Sequence, residues 1–100
     1  MVIEWLKFTV SSELREQFVQ KDADIWTPVL AAYPGFLSKE VWISPERLDE
    51  VIAVIRWQSL EQWQAIPTAV LDETEALFLA AMGSNYKLVE ASKYQVRKFS

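Results

Sequence analysis

Four charged residues lie inside strand-like apolar runs and are the first candidates for chemistry in this chain: Glu4, Lys7, Glu40 and Arg56. An unpaired charge in a protein interior is costly, so these residues should pair with one another or lie at the rim of a sheet. The alternative is a cavity lined by Arg56 and one of the carboxylates, because perturbed titratable groups in clefts are typical of functional sites.

The chain also contains five tryptophans. Each indole is bulky and carries one N–H donor, so a buried tryptophan belongs in the core, at an interface or beside a pocket. Trp57 ends an apolar run just before a predicted helix N-terminus, where a concave site can form. We therefore nominate Trp57 as the functional tryptophan, with core or dimer packing as the alternative.

The sequence contains no histidine and no cysteine. This excludes cysteine nucleophiles, Ser-His triads, disulfides, histidine-ligated haem and most zinc sites. A metal site would have to consist of carboxylates, and Asp72, Glu73 and Glu75 are better explained as favourable charges at the start of a helix. We predict no metal and no cofactor.

The charge pattern bears on partners. The net charge is −4 and the ten basic residues are scattered, whereas binding to nucleic acid needs clustered Lys and Arg. No apolar run approaches the ~20 residues that a membrane-spanning helix requires. We expect no nucleic-acid partner, no membrane insertion and a cytoplasmic location.

The periodicity of apolar residues predicts strand, helix, strand, strand, helix, strand. The predicted elements are a strand over 2–10, a helix over 12–32, a hairpin of strands over 36–43 and 51–57, a short helix capped by Ser59 and Gln62, a helix over 68–82 and a strand over 87–99. This order matches the ferredoxin-like βαββαβ fold, an α+β class with an antiparallel sheet, and 100 residues form a single domain over 1–100.

The first and third predicted strands carry apolar residues on both faces. One face of the sheet should therefore pack on the helices, while the other meets a further layer such as a second subunit.

Three stretches resemble the antibiotic biosynthesis monooxygenase family: Pro34-Gly35-Phe36-Leu37, Glu40-Val41-Trp42 and the run from Ile55 to Trp63. The resemblance follows the element order over residues 2–82. The whole chain is also similar to a set of small uncharacterised cyanobacterial proteins, through Ile3 to Phe8, Pro34 to Phe36 and Tyr94 to Phe99.

The family resemblance implies a homodimer whose two sheets face each other in a dimeric α+β barrel, with a pocket between sheet and helices. The haem-degrading branch of the family uses a first-strand asparagine, a tryptophan leaving the third strand and a histidine on the next helix. Only the tryptophan carries over, as Trp57, since Leu6 occupies the first-strand position and the chain has no histidine. Haem degradation of that kind is therefore not expected.

Three hypotheses follow. The first is a non-catalytic or small-molecule-binding homodimer for an apolar or aromatic ligand, and the second is a cofactor-independent monooxygenase-like enzyme acting on an aromatic or quinol substrate. The third is a protein-interaction module. The candidate pocket residues are Trp57, Arg56, Leu6, Phe8, Phe78 and Tyr94, with Arg56 or Tyr94 positioning a substrate anion.

Overall fold

The computed structural model describes residues 1–99, which form four strands and three helices. In chain order these are β1 (Val2–Val10), α1 (Arg15–Ala31), β2 (Phe36–Ile43), β3 (Glu50–Trp57), α2 (Leu60–Gln64), α3 (Thr68–Met82) and β4 (Tyr86–Gln95). The predicted ferredoxin-like α+β fold is confirmed, including the β2–β3 hairpin.

The strands form one antiparallel sheet in the order β2-β3-β1-β4. Because side chains alternate along a strand, each strand contributes to two faces. The inner face, represented by Leu6, Phe8, Ala53 and Ile55, lies against the helices. The outer face, represented by Trp5, Lys7, Val54 and Arg56, is not covered by them.

The core between the inner face and the helices has two parts. One is centred on Val10, Phe18, Val51, Phe78 and Met82, and the other on Leu30, Ala53, Ile55, Trp57 and Ile66. Both draw on β3, which is buried along most of its length.

Two element boundaries differ from the prediction by more than one residue. A 3₁₀ turn over Ser12–Leu14 precedes α1, so the α-helix begins at Arg15. The last strand ends at Gln95 rather than residue 99, because its partner β1 begins at Val2, which pairs with Gln95. Beyond that pair a single hydrogen bond, from the Val96 amide to the Met1 carbonyl, extends the alignment.

The exit of β3 is fixed by the predicted cap. Ser59 Oγ accepts a hydrogen bond from the Gln62 amide at 3.1 Å and donates one to Gln62 Oε1 at 3.0 Å. Gly35 lies against this cap with φ of 93°, and a Cβ at that position would come within 2.6 Å of Gln62. Glycine is therefore required here, and the contact joins the start of β2 to the end of β3 beside Trp57.

Candidate functional site

A cavity of about 610 Å³ lies between the inner face of the sheet and the helices. Its floor is apolar and is formed by Leu6, Phe8, Ala53 and Ile55, while Trp26, Trp63, Leu71 and Leu79 contribute to its walls. The polar residues on its lining are Glu4, Asp22, Lys39, Asp72, Glu75, Ser84, Tyr86 and Lys87.

Small residues beside Leu6 explain why there is space above the sheet. Leu6 is paired with Ala53 on one side and with Ala91 on the other, so one row across the inner face carries two methyl groups in place of large side chains. A second space of about 450 Å³ adjoins the cavity and shares Glu4, Leu6, Trp63, Ile66 and Leu71 with it. The combined space therefore reaches from α1 to β4.

Glu4 is the central polar group of this cavity. Its Oε1 accepts a hydrogen bond from the Trp57 indole Nε1–H at 3.2 Å. Burial raises the pKa of the Glu4 carboxyl above its ordinary value of 4.5, and the Trp57 hydrogen bond and the charge of Lys39 oppose that rise without cancelling it. The Glu4 carboxyl therefore binds a proton more readily than an exposed glutamate does.

A buried ion pair stands beside Glu4. Lys39 Nζ lies 2.7 Å from Asp22 Oδ2, and the two side chains are 4% and 10% exposed. The register explains its position, since Glu4 on β1 and Lys39 on β2 both pair with Ile55 on β3. Two strand spacings separate their backbones by roughly 10 Å, with the Ile55 side chain between them.

Aromatic rings close one end of the cavity. Phe8, Phe18, Phe78 and Tyr86 contact one another with ring centroids 5.1 to 5.7 Å apart. The Tyr86 hydroxyl donates a hydrogen bond to Glu75 on α3. Burial and this bond to a carboxylate raise the pKa of Tyr86, so its hydroxyl stays protonated and joins β4 to α3.

The structure brings only some of the nominated residues together. Leu6 and Phe8 line the cavity, whereas Phe78 lies in the aromatic cluster behind it. Trp57 is fully buried beneath Glu4, with its ring edge-on to Phe36 at 5.7 Å, and reaches the cavity only through its hydrogen bond.

Arg56 and Tyr94 do not reach the cavity. Arg56 is adjacent to Trp57 in β3, so alternation sends its side chain to the outer face, where it pairs with Glu40 at 3.2 Å. Tyr94 pairs with Ile3 in the sheet and is 56% exposed on that same face. The anticipated cavity containing Arg56 and a carboxylate is therefore not formed, and the carboxylate that does line the cavity is Glu4.

Of the four strand charges expected to pair with one another, only Arg56 and Glu40 do so, and Lys7 pairs instead with Glu50. Lys7 Nζ lies 3.1 Å from Glu50 Oε1.

Sequence reasoning missed Lys39 and Asp22. In α1 the residues Phe18, Asp22, Trp26 and Leu30 recur every four positions, so an aspartate stands in the middle of an apolar stripe. Such an aspartate needs a buried partner, and that signal was readable. The sequence does not predict the inward position of Lys39, because a bulge at Leu37 shifts the alternation of β2.

Two findings concern the described part of the chain, residues 1–99. No group of three or more Asp, Glu, His or Cys side chains there is arranged to hold a metal ion. None of its helices combines the length and the apolar character needed to cross a membrane.

The sequence model of the antibiotic biosynthesis monooxygenase family matches residues 1–66, two thirds of the chain, including β1, the hairpin and Trp57. The chain belongs to this family. No protein among those with curated descriptions matches it significantly.

Solved structures share the fold over nearly the whole length. A variant of SnoaB, a cofactor-independent oxygenase from Streptomyces nogalater, has a TM-score of 0.72 at 17% identity and covers 98% of this chain and 94% of its own. Protein Atu4242 from Agrobacterium tumefaciens has a TM-score of 0.74 at 13% identity and covers 100% and 97%. Identities this low show the fold alone.

The cavity combines an apolar floor with a carboxyl group whose pKa is raised, Glu4, and the ammonium group of Lys39.

Proposed function

We propose that this protein binds a small, largely apolar ring compound in the cavity between sheet and helices, and does so as a homodimer. The observation that carries the proposal is an apolar floor with two charged groups, the half-buried Glu4 and the Lys39 side chain, facing about 610 Å³ of space. Ligand pockets typically combine an apolar lining with a few convergent polar groups in this volume range.

The outer face supports the homodimer. It carries the partly exposed Trp5 and Ile52 in its centre, while Trp42 is 46% exposed nearer the β2 edge. An apolar patch on a sheet face is favourable to cover, and a second copy of this chain presents the same patch around a two-fold axis. Cross-subunit packing of Trp5 and Trp42 would then complete a second core layer.

Binding can be followed through the tryptophans on the cavity wall. Titration with β-naphthol should quench the fluorescence of Trp26 and Trp63, which line the cavity. Ala53→Phe places a ring in the cavity and should weaken binding at least ~10-fold, by excluding the ligand. Ala80→Phe adds the same ring to an exposed position of α3 and should leave binding unchanged. Equal binding by both variants would refute a ligand in this cavity.

The dimer has its own test. Sedimentation at micromolar concentration should give a dimer, and Trp5→Glu should shift it to a monomer because an unpaired charge would enter the interface. Leu77→Glu, on an exposed position of α3, is the matched control and should stay dimeric. A wild-type monomer at micromolar concentration would end the dimer proposal.

A second candidate is a cofactor-independent monooxygenase-like enzyme acting on an aromatic or quinol substrate. Membership of the family and the raised pKa of the Glu4 carboxyl favour it, because a buried base could remove a proton from such a substrate before oxygen reacts. Oxygen consumption with hydroquinones and anthrones should then fall in Glu4→Gln and in Trp57→Phe. An absence of turnover by the wild type would remove its support.

A further inference from the structure

We propose that Glu4 and Lys39 form a proton-transfer pair that enolises a ring ketone bound in the cavity, an inference that rests on the proposed ligand-binding function. The ligand class follows from the chemistry of the two groups and the surface between them. A carboxylate can accept a proton from carbon, an ammonium group can stabilise the oxyanion that results, and the floor between them accepts an apolar ring.

The sheet register places the two groups on either side of one apolar residue. Glu4 and Lys39 flank Ile55 on the inner face, at positions fixed by hydrogen-bonded strand pairs. Their side chains extend from rigid strands rather than from loops. A carbonyl group and its neighbouring carbon, lying over Ile55, would present the C–H to one group and the oxygen to the other.

Glu4 has one oxygen committed and one available. The Trp57 indole N–H bonds to Oε1 at 3.2 Å, and no residue of the described chain donates to Oε2. Trp57 is therefore a positioning residue, since it holds the carboxylate against the floor and leaves Oε2 free. Oε2 is the atom that would accept the proton.

Lys39 has donors to spare. Its ammonium group carries three N–H bonds, and the ion pair with Asp22 at 2.7 Å accounts for one contact. The side chain is 4% exposed, so little bulk water reaches the remaining donors. A ligand oxygen in the cavity would supply an acceptor that this buried cation lacks.

The step balances without an oxidant. The Glu4 carboxylate takes the proton from the carbon next to the carbonyl, and the electron pair of the broken C–H bond forms a C=C bond. The carbonyl π electrons move to oxygen, where the Lys39 ammonium group stabilises the negative charge. Return of the proton from Glu4, to the same carbon or to another along a conjugated ring, restores the carboxylate.

The charged surroundings of Glu4 govern the pH dependence. Titratable groups face the cavity from several packed elements: Asp22 on α1, Lys39 on β2, Asp72 and Glu75 on α3, and Tyr86 and Lys87 at the start of β4. In addition, Lys93 on β4 pairs with Glu4 in the sheet. Because Glu4 must be ionised to accept a proton, the rate should rise with pH through the Glu4 pKa, which burial raises above 4.5.

Deuterium exchange tests the step directly. The wild-type protein in D₂O should accelerate exchange at the activated α-carbon of β-tetralone, a bicyclic ketone, above the buffer rate, as followed by proton NMR. Glu4→Gln keeps an acceptor for Trp57 but cannot take a proton, so the protein-dependent rate should fall ~100-fold or more. Asp22→Asn/Lys39→Met removes the ammonium without orphaning a carboxylate, and should also reduce the rate ~100-fold.

Two further variants test whether the exchange is specific to Glu4 and whether Trp57 acts by positioning the Glu4 carboxylate. Glu61→Gln, an exposed carboxylate on α2, should leave exchange unchanged. Trp57→Phe should move the midpoint of the pH–rate profile upward, because Glu4 loses the N–H bond that opposes its pKa rise. A purely structural tryptophan would lower the rate at every pH without moving the midpoint.

Binding of β-tetralone is measured separately by tryptophan fluorescence. Binding with exchange that depends on Glu4 supports the pair. Binding with no acceleration, or with the same acceleration in Glu4→Gln, overturns the proton-transfer proposal and leaves the ligand-binding function standing. Failure of both β-tetralone and β-naphthol to bind overturns both.

Discussion

Glu4 and Glu50 lie on neighbouring strands of one sheet but on opposite faces, and the pKa values of their carboxyls move in opposite directions. On the outer face, Arg47 donates two hydrogen bonds of 3.2 Å to Glu50 and Lys7 lies 3.1 Å away, so the pKa of Glu50 is lowered. On the inner face, Glu4 has one neutral donor and no direct ion pair, and burial raises its pKa.

The charged residues of the two faces differ in how fully they are paired within the chain. On the outer face, Lys7, Glu40, Glu50 and Arg56 are matched with partners at contact distance. On the inner face, Ile55 stands between Glu4 and Lys39, and each keeps unused hydrogen-bonding capacity toward the cavity. Burial without full pairing costs free energy, and such a cost is typical of functional sites.

The largest expected effect comes from breaking the buried ion pair on the inner face, and an ion pair on the outer face provides the comparison. Lys39→Met should lower the free energy of unfolding by about 3–5 kcal/mol, because it leaves the Asp22 carboxylate buried without its cation. Arg56→Met should cost at most about 1 kcal/mol, since its pair with Glu40 is partly exposed to water. Urea denaturation measures both.

The double variant checks the reason for that cost. Asp22→Asn/Lys39→Met removes both charges and should recover most of the stability lost in Lys39→Met. Equal, small losses of unfolding free energy in Lys39→Met and Arg56→Met would contradict the difference in burial between the two ion pairs.

Substituting a tryptophan on each face should have a smaller effect on the free energy of unfolding. Trp57→Phe should cost about 1–3 kcal/mol, because the buried Glu4 carboxylate loses its hydrogen-bond donor. Trp42→Phe, on an outer-face residue that is 46% exposed, should change the unfolding free energy of the monomer by less than about 0.5 kcal/mol. Thermal and urea unfolding of the pair at low protein concentration provide the comparison.

The smallest expected effects are on the pH dependence of stability, and Glu4 and Glu50 should contribute to it with opposite signs. Glu4 has a raised pKa in the folded state, so its contribution is most favourable below pH 4.5 and is lost as pH rises through the folded pKa. Glu50 has a lowered pKa, so its contribution is present above pH 4.5 and is lost as pH falls through its folded pKa.

These signs can be read from unfolding curves collected across pH. Glu4→Gln should stabilise the protein toward neutral pH relative to acid, whereas Glu50→Gln should remove part of the loss seen in acid. The same sign for both variants would contradict the assigned environments.

Much of the fold could be predicted because it depends on local pattern. Alternation in β1 and β3, the Ser59 cap and Gly35 before β2 each specify structure within a few residues. The site depends on which strand positions become neighbours, and that is set by register. The bulge at Leu37 places Lys39 opposite Ile55, and neither feature has a distinct signature in the sequence.

The nominated site residues illustrate the same limit. Leu6 and Phe8 share a parity along β1, and the structure places both on the cavity floor. Arg56 and Trp57 are consecutive in a strand and so could not share one wall, a constraint that alternation alone supplies. The strand pattern predicts that Glu4 needs a partner, but its partner is an indole rather than an opposite charge.

The most direct test of the account is the titration of the Glu4 side-chain carboxyl by carbon NMR, assigned with Glu4→Gln, in the absence and presence of β-tetralone. We predict a pKa of the Glu4 carboxyl above 4.5 in the free protein and a further change when the ring compound binds beside the carboxylate. A pKa at or below 4.5 that does not respond to the ligand would contradict it.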